Sequence, residues 1–187
     1  MSINIIAAIS KNRVIGLNGT IPWKIPGELK YFKDMTTGKL NKSLKGKHAV
    51  IMGWNTFESL PSFPNALPNR GNIIVTRRSY SHLGPLIPFA KIPALEDLIK
   101  IQETYPNIWI SGGESIYNYY IDKPYIDKLY LTEINKEIKG DTYFPKLPSY
   151  FVKTIQGQTY TYKENALSYI DYNYNVYSNS DWTRTGF

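Results

Sequence analysis

A chain of 187 residues, 42% of them hydrophobic and 20% charged, has the size and composition of one globular domain with a sizeable core. It contains no cysteine, which excludes disulfides, thiol nucleophiles and cysteine metal sites. Its two histidines, His48 and His82, lack ligand spacing, so we expect no bound metal. There is neither a run of roughly 20 apolar residues, as a membrane span needs, nor a basic leader before the first strand-like residues. We therefore expect a cytoplasmic protein.

The formal charge of +7 is compatible with either a nucleic-acid ligand or an anionic small molecule. Four lysines lie between residues 39 and 47, in a stretch with no acid between Asp34 and Glu58. Glycines at 38 and 46 accompany them, which is typical of a solvated loop rather than a nucleic-acid interface. We expect a small anionic ligand and no nucleic-acid partner.

Strands and helices alternate along most of the chain. Apolar runs predict strands over residues 3–9, 48–52, 73–76, 108–111 and 129–134, and helices are predicted over 26–35, 56–60, 93–104 and 114–121. Short apolar strands separated by helices are typical of a mostly parallel sheet with helices on both faces. The sequence therefore predicts an α/β fold.

The end of the chain has a different pattern. Residues 151–162 and 167–177 flank a turn-like segment at 163–166. In the second run Ile170, Tyr172, Tyr174 and Val176 alternate with polar residues, the period of an antiparallel strand with one buried face. We predict one domain over residues 1–177, in which an antiparallel C-terminal hairpin extends a mixed, mostly parallel central sheet. A polar tail without regular structure follows at 178–187.

Glu28 is the most informative single residue, because it is the only acid among the first 33 residues and follows Trp23 closely. In a helix that starts at residue 26, Leu29, Phe32 and Met35 share a face and Glu28 lies at its edge. A Glu in a first helical turn is common, since it faces the positive end of the helix dipole. A carboxylate beside an apolar stripe also suits a site for a flat heterocycle that carries an amine.

The surrounding motifs make the second interpretation more specific. In order along the chain they are Ala7-Ala8, Arg13-Val14-Ile15-Gly16, Pro22-Trp23 and Glu28-Leu29-x-x-Phe32, followed by segments at 50–59, 70–77, 110–117, 131–134 and 140–145. With these segments the chain resembles the dihydrofolate reductase family over nearly its whole length. The resemblance implies the single-domain fold of that family and a monomer. It also implies reduction of 7,8-dihydrofolate, with hydride transfer from NADPH to C6 and protonation at N5.

The resemblance places the substrate around Glu28, whose carboxylate would accept two donors from the pterin ring. Thr132 would bond this carboxylate, and a water near Trp23 would carry the proton, so these three residues are the predicted catalytic group. Arg70 would pair with the carboxylate of the glutamate tail, although an arginine before a strand is most often a surface residue. The other predicted substrate residues are Ile6, Ala7, Leu29, Phe32, Leu60, Ser111 and Tyr117.

Two properties of this region stay open at the level of sequence. Partial burial would raise the pKa of Glu28, whereas the helix N-terminus would lower it. The loop at 12–24 is expected to act as a lid, with Gly16 and Gly19 allowing its backbone to move.

The cofactor site lacks the usual fingerprints, since neither G-x-G-x-x-G nor a P-loop motif occurs. The resemblance implies that Gly112-Gly113 and the helix that starts near Thr56 approach the phosphates, and that Arg77 and Arg78 select NADPH by its 2′-phosphate. The alternative for Gly112-Gly113 is a simple turn, and the alternative for Arg77 and Arg78 is an exposed basic turn. The full predicted cofactor set is Ala8, Ile15, Gly16, Asn18, Gly19, Gly53, Trp54, Asn55, Thr56, Thr76, Arg77, Arg78, Gly112, Gly113, Glu114, Ser115 and Ile116.

The chain departs from the family pattern at two positions. Family members commonly have a basic residue where Trp54 stands, so a phosphate contact is missing unless Arg78 compensates. At Ser111 the family usually has an apolar residue, and we expect the hydroxyl to line the pocket.

Two other functions remain as alternatives. A pyrimidine reductase of the riboflavin pathway shares the fold but should lack the combination of Trp23, Glu28 and Phe32. A folate-binding protein without catalytic activity would keep the site, and only turnover distinguishes it from an enzyme.

Overall fold

The computed structural model describes residues 1–78 and 86–182. In chain order its elements are β1 (Ser2–Ser10), β2 (Val14–Gly16), α1 (Pro26–Thr36), β3 (His48–Gly53), α2 (Trp54–Glu58), β4 (Gly71–Val75), β5 (Leu86–Phe89), α3 (Leu95–Thr104), β6 (Asn107–Ile110), α4 (Glu114–Tyr120), β7 (Lys128–Ile134), β8 (Thr142–Tyr143), β9 (Phe151–Lys163) and β10 (Tyr169–Asn179). None of the described helices is long and apolar enough to cross a membrane.

Eight strands form one sheet in the order β5-β4-β3-β6-β1-β7-β10-β9. The first six of these pair in parallel, and β10 runs antiparallel to both β7 and β9. This arrangement confirms the predicted mixed, mostly parallel sheet with an antiparallel C-terminal hairpin.

The central strand β1 is buried on both faces, as expected for a strand in a parallel sheet. Ile3, Ile5 and Ile9 belong to one apolar cluster, which includes residues of α3 and α4, while Ile6 belongs to a second cluster, which includes Met35 of α1. Alternate side chains of one strand thus reach opposite layers of the core. The carboxyl end of β1 is consequently held from both sides.

Three short strands were not predicted: β2, β5 and β8. β2 and β8 pair with each other in a separate two-stranded sheet, and β5 extends the edge of the main sheet. They have three, four and two residues, too few for a periodic pattern to be recognised in the sequence. The helix expected at 56–60 begins two residues earlier, at Trp54.

The strand β10 continues beyond the domain end that we predicted at residue 177. Ser178 and Asn179 belong to it, and the Asn179 side-chain amide donates to the carbonyl of Ile126 at 3.0 Å. The first two residues of the predicted polar tail are therefore part of the sheet. Residues 183–187 of that tail lie outside the described residues.

Candidate active site

A cavity of about 750 Å³ opens at the carboxyl ends of β1, β3, β4 and β6. Its walls are completed by α1, the loop before α1, and the first turns of α2 and α4. Ligands of open α/β sheets bind at this edge, because loops and helix starts converge there.

The structure brings most of the predicted site residues together around this cavity. They are Ile6, Ala7, Ala8, Ile15, Gly16, Gly19, Trp23, Glu28, Leu29, Phe32, Gly53, Trp54, Asn55, Thr56, Leu60, Ser111, Gly112, Gly113, Glu114, Ser115, Ile116 and Tyr117. The predicted residues that do not line it are Asn18, Arg70, Thr76, Arg77, Arg78 and Thr132.

Glu28 lies in the first turn of α1, which starts at Pro26, and it lines the cavity. The residue is 8% exposed and forms no ion pair with any described cation. Burial raises the pKa of Glu28 from 4.5 to about 7. Of the two opposing effects on this carboxyl, desolvation is therefore the larger one.

Trp23 lines the same cavity as Glu28 and is buried. It packs in an apolar cluster that includes Val14, Ile25 and Tyr172. Its indole Nε1 has no hydrogen-bond acceptor among residues 1–78 and 86–182. Because buried donors are nearly always paired, this group fits a water or a ligand acceptor.

Thr132 lies on β7, in register with Ala8 of β1 on one side and Tyr174 of β10 on the other. It is fully buried and does not line the cavity. No hydrogen bond joins it to Glu28 among the described residues, so the predicted bond between them is not formed directly here.

Tyr117 connects α4 to the carboxyl end of β1. Its buried hydroxyl donates to the carbonyl of Ile6 at 2.8 Å. The ring packs under the glycine pair, because a Cβ added at Gly112 would lie 3.1 Å from it. Desolvation raises the pKa of this phenol, so it stays a neutral donor.

Ser111 lines the cavity, but its hydroxyl is already paired. The Oγ atom donates to the main-chain carbonyl of Ile51 on β3 at 3.1 Å. The expected pocket hydroxyl therefore bonds the neighbouring strand.

The backbone of Gly53, Gly112 and Gly113 forms one wall of the cavity without side chains. Gly53 donates its N–H to the carbonyl of Gly112 at 2.8 Å, and the Gly112–Gly113 peptide is cis. A Cβ at Gly113 would lie 3.1 Å from the hydroxyl oxygen of Thr56, and Gly112 has a φ of +109°, which side chains rarely adopt. The space beside this wall therefore fits a group that approaches bare backbone, such as a pyrophosphate.

Arg70 stands behind the cavity wall. Its guanidinium carbon lies 5.9 Å from the ring centre of Phe32, a residue that does line the cavity. The Arg70 guanidinium also donates a hydrogen bond to the hydroxyl of Thr36. Burial lowers the pKa of Arg70 to about 10, and none of the described acids pairs with it. A half-buried cation without an acidic partner suits a ligand carboxylate.

The two predicted phosphate-selecting arginines differ in their surroundings. Both are exposed, but Arg78 also lies over the Trp54 ring and near Glu58. The Arg78 backbone N–H donates to the Thr76 hydroxyl at 3.1 Å, which fixes the turn after β4.

The first part of the loop predicted as a lid is bonded at several points to the segment between β7 and β9. β2, inside this loop, pairs with β8, and Asn18 donates its N–H to the Asp141 carboxylate at 2.8 Å. Asn18 therefore anchors the loop and does not line the cavity. Gly19, beyond it, has a φ of +74° and lines the cavity.

Some lining residues were missed by sequence reasoning: Thr20, Ile21, Met52, Ser59, Val75, Ile92, Asp141 and Thr142. Asp141 and Thr142 belong to the recurrent segment at 140–145, so that motif could have indicated them. Ile92 carries no sequence signal, because a loop brings it to the cavity.

Clusters of three or more side chains able to hold a metal are absent from residues 1–78 and 86–182. His82 lies outside the described residues, and His48 accepts a hydrogen bond from the Trp109 indole at 3.0 Å, away from the cavity.

The family model of dihydrofolate reductase matches residues 2–178 of the chain. The dihydrofolate reductase of Bacillus subtilis is 32% identical over 184 residues, which cover 98% of each protein. That of Haemophilus influenzae is 35% identical over 147 residues, 79% of this chain and 81% of the relative. That of Sus scrofa is 37% identical over 153 residues, 78% and 80% of the two chains. This chain belongs to the dihydrofolate reductase family.

Proposed function

We propose that this chain reduces 7,8-dihydrofolate to 5,6,7,8-tetrahydrofolate with NADPH, as a cytoplasmic monomer that supports one-carbon metabolism and thymidylate synthesis. The observation that carries the proposal is the buried carboxyl of Glu28, with a pKa near 7, in the wall of a cavity of about 750 Å³, which is within the size range of small-molecule sites. Membership of the family supplies the substrate and the reaction class.

Glu28 would orient the pterin. In its ionised form it accepts the exocyclic amine and the adjacent ring N–H in a planar, two-point contact. Leu29, Phe32 and Leu60 contribute apolar surface on which the ring and its extension rest. Arg70, behind Phe32, would pair with the glutamate carboxylate of the substrate.

A water held near Trp23 would carry the proton to N5, and Glu28 would favour the protonated form of the substrate. Near neutral pH both forms of Glu28 are populated, because its pKa is about 7. The unpaired Nε1 of Trp23 fits a water that passes the proton toward N5, so Glu28 does not have to reach across the ring. The apolar wall excludes other water from the reacting atoms.

NADPH, when bound, supplies the hydride. Gly53, Gly112 and Gly113 would hold its pyrophosphate, and Ala8, Ile15 and Gly16 would border the nicotinamide, since all of them line the same cavity. The predicted roles of Asn55, Glu114, Ser115 and Ile116 in cofactor binding fit the same wall.

The decisive experiment is NADPH consumption by the purified protein with dihydrofolate, compared with Glu28→Gln and with NADH as donor. We expect kcat/KM to fall about 100-fold or more in Glu28→Gln, the usual size of an acid–base contribution. In the unmodified protein kcat/KM should decrease as pH rises through about 7, because Glu28 then loses its proton. This titration should be absent from the variant.

Asp34→Asn is the matched control. Asp34 is on the same helix, pairs with Lys30 at 2.5 Å and does not line the cavity, so activity should be kept. Equal turnover in Glu28→Gln would refute the assigned role. Absence of turnover despite tight folate binding would identify a binding protein or a reductase for another substrate.

A further inference from the structure

A second cavity, of about 360 Å³, begins where the active-site cavity ends along β1, and the two have no lining residue in common. Residues 6–8 of β1 line the active-site cavity, whereas residues 9–11 line the second one. Its other walls come from the end of β7, from β10 and from Leu147, which follows β8. A volume of this size is near the lower end of the range of small-molecule sites.

Two cations line the second cavity, Lys11 and Arg13, and neither has an acidic partner among the residues that the structure describes. Lys11 is exposed and Arg13 is half-buried. The Arg13 guanidinium donates through Nη1 to the carbonyl of Phe144 at 2.7 Å. Its Nε and Nη2 donors have no acceptor within residues 1–78 and 86–182. This edge of the guanidinium matches two oxygens of a carboxylate or a phosphate.

The acid that lines the same cavity, Glu133, is already occupied by other donors. Its Oε2 atom accepts from Lys153 at 3.2 Å and from Asn175 at 2.6 Å, and its Oε1 atom accepts from the hydroxyl of Tyr177. Because Lys153 balances the charge of Glu133, the charges of Lys11 and Arg13 stay available to a ligand. The cavity therefore favours an anion.

Apolar side chains line the remainder of the cavity. Ile9, Ile134 and Leu147 contribute to its walls, together with Tyr177. An inorganic anion would use only the cations, whereas an anionic group on an apolar body would also cover these side chains. The lining thus matches an organic anion better than an inorganic one.

We propose that this cavity is a second ligand site, which binds a small organic anion through Arg13 and Lys11. The anionic group is a carboxylate or a phosphate monoester, and the proposal does not depend on the reaction assigned to the active site. The ligand lies against the start of the loop predicted as a lid, because Arg13 exchanges two hydrogen bonds with Phe144. The Phe144 N–H donates to the Arg13 carbonyl at 2.8 Å, and the Arg13 side chain donates to the Phe144 carbonyl. Occupancy of the site therefore stabilises this junction of the loop.

Protein-observed NMR locates the site without the use of turnover. Benzoate, phenyl phosphate and the neutral benzamide would be titrated into the full chain. We expect the anions to shift the amide resonances of Lys11, Arg13 and Asn135 with dissociation constants of about 1 mM, a typical affinity for ligands of about ten heavy atoms. Benzamide should bind at least about tenfold more weakly, and the tighter anion identifies the preferred group.

Variants separate a built cavity from general attraction to a basic surface. Lys11→Gln and Arg13→Lys should each weaken the anions by about fivefold or more, the first by loss of a charge and the second by loss of the fork. Leu147→Trp keeps both cations and should abolish binding, because the larger side chain fills the cavity. Lys146→Gln is the matched control, since Lys146 is exposed next to Leu147 and does not line the cavity.

Hydrogen exchange of the Phe144 amide tests the link to the loop. At a ligand concentration ten times the dissociation constant, exchange should slow by about tenfold in the unmodified chain and much less in Lys11→Gln. Unchanged exchange would overturn this link. Absence of a saturable shift at about 10 mM of either anion, or unaltered binding in Leu147→Trp, would overturn the site itself. Shifts confined to the surroundings of Glu28 would likewise overturn it, because the anions would then occupy the active-site cavity. A chain that binds the anions at Arg13 but does not reduce dihydrofolate would contradict the proposed function alone.

Discussion

At the scale of single residues, the burial of Glu28, which the proposed mechanism uses, lowers the stability of the folded protein at neutral pH. Its pKa is 4.5 in an unperturbed chain and about 7 in the folded protein. Below the lower value both states are protonated and the residue contributes nothing. Between the two values the unfolded chain ionises while the folded protein keeps its proton, so the free energy of unfolding falls as pH rises. Above the higher value the penalty is constant, at about 3 kcal/mol for a shift of this size.

Glu28→Gln should therefore stabilise the protein while it removes activity. At a pH about one unit above the folded pKa we expect the free energy of unfolding to rise by up to about 3 kcal/mol. About one unit below the unfolded pKa it should be unchanged. Urea unfolding at the two pH values measures both.

Asp34→Asn provides a control of opposite sign. The hydrogen bond from Lys30 lowers the pKa of Asp34, so its ionised form is favoured by folding and its removal should destabilise at the higher pH. If Glu28→Gln instead lost stability at the higher pH, Glu28 would be stabilised as an anion by partners that the structure does not show.

Predicted site residues that are close in sequence lie together at the cavity, whereas contacts between distant elements had no sequence signal. The group of Trp23, Glu28 and Phe32 follows from one segment, and all three line the cavity. The stack of Arg78 on Trp54 joins residues far apart in sequence, so no local pattern indicates it. The direction of the Glu28 pKa shift depends on burial, which only the packed structure determines.

At the scale of elements, the start of α1 is set by contact with β10. A Cβ added at Gly27 would lie 2.8 Å from the hydroxyl oxygen of Tyr172 and 3.4 Å from that of Tyr174. One turn further along α1, the ring of Tyr31 stacks on Tyr174 at a centroid distance of 4.0 Å. Two β10 tyrosines thus fix how closely the first turn approaches the sheet, and with it the position of Glu28.

Gly27→Ala should displace this turn, although alanine is the better helix former. We expect a fall of kcat/KM, because a small misplacement of a positioned carboxylate reduces catalysis strongly. The double variant with Tyr172→Phe should recover activity, since the nearest Tyr172 atom then is the ring carbon at 3.8 Å, an ordinary contact. Tyr172→Phe alone is the control. Full activity in Gly27→Ala would show that the hydroxyl moves aside freely.

Elements with strong periodicity were predicted, and those held by tertiary pairing were not. The alternation of Ile170, Tyr172, Tyr174 and Val176 gave the antiparallel β10. β2 and β8 exist because they pair with each other across a long stretch of chain, and neither has a periodic pattern of its own. Such strands depend on the rest of the fold to bring them together.

At the scale of the whole molecule, the cavity depends on the centre of the sheet. β1 lies between β6 and β7, and the carboxyl ends of β1, β3 and β6 form the cavity wall. Ile5 on β1 is fully buried and is in register with Ile110 and Leu129 on the two neighbouring strands. By contrast, Ile155 on the edge strand β9 is 57% exposed.

The same substitution at these two isoleucines should therefore have very different effects. Ile5→Ala should lower the free energy of unfolding by about 2–5 kcal/mol, because it leaves a cavity in the apolar cluster that packs against α3 and α4. Ile155→Ala should change it by less than about 0.5 kcal/mol. Urea titrations followed by tryptophan fluorescence and by NADPH turnover measure both quantities. In Ile5→Ala the two transitions should shift together, since the cavity wall is formed by the central strands themselves. Loss of turnover well before the fluorescence change would mean that the wall can open while the sheet persists.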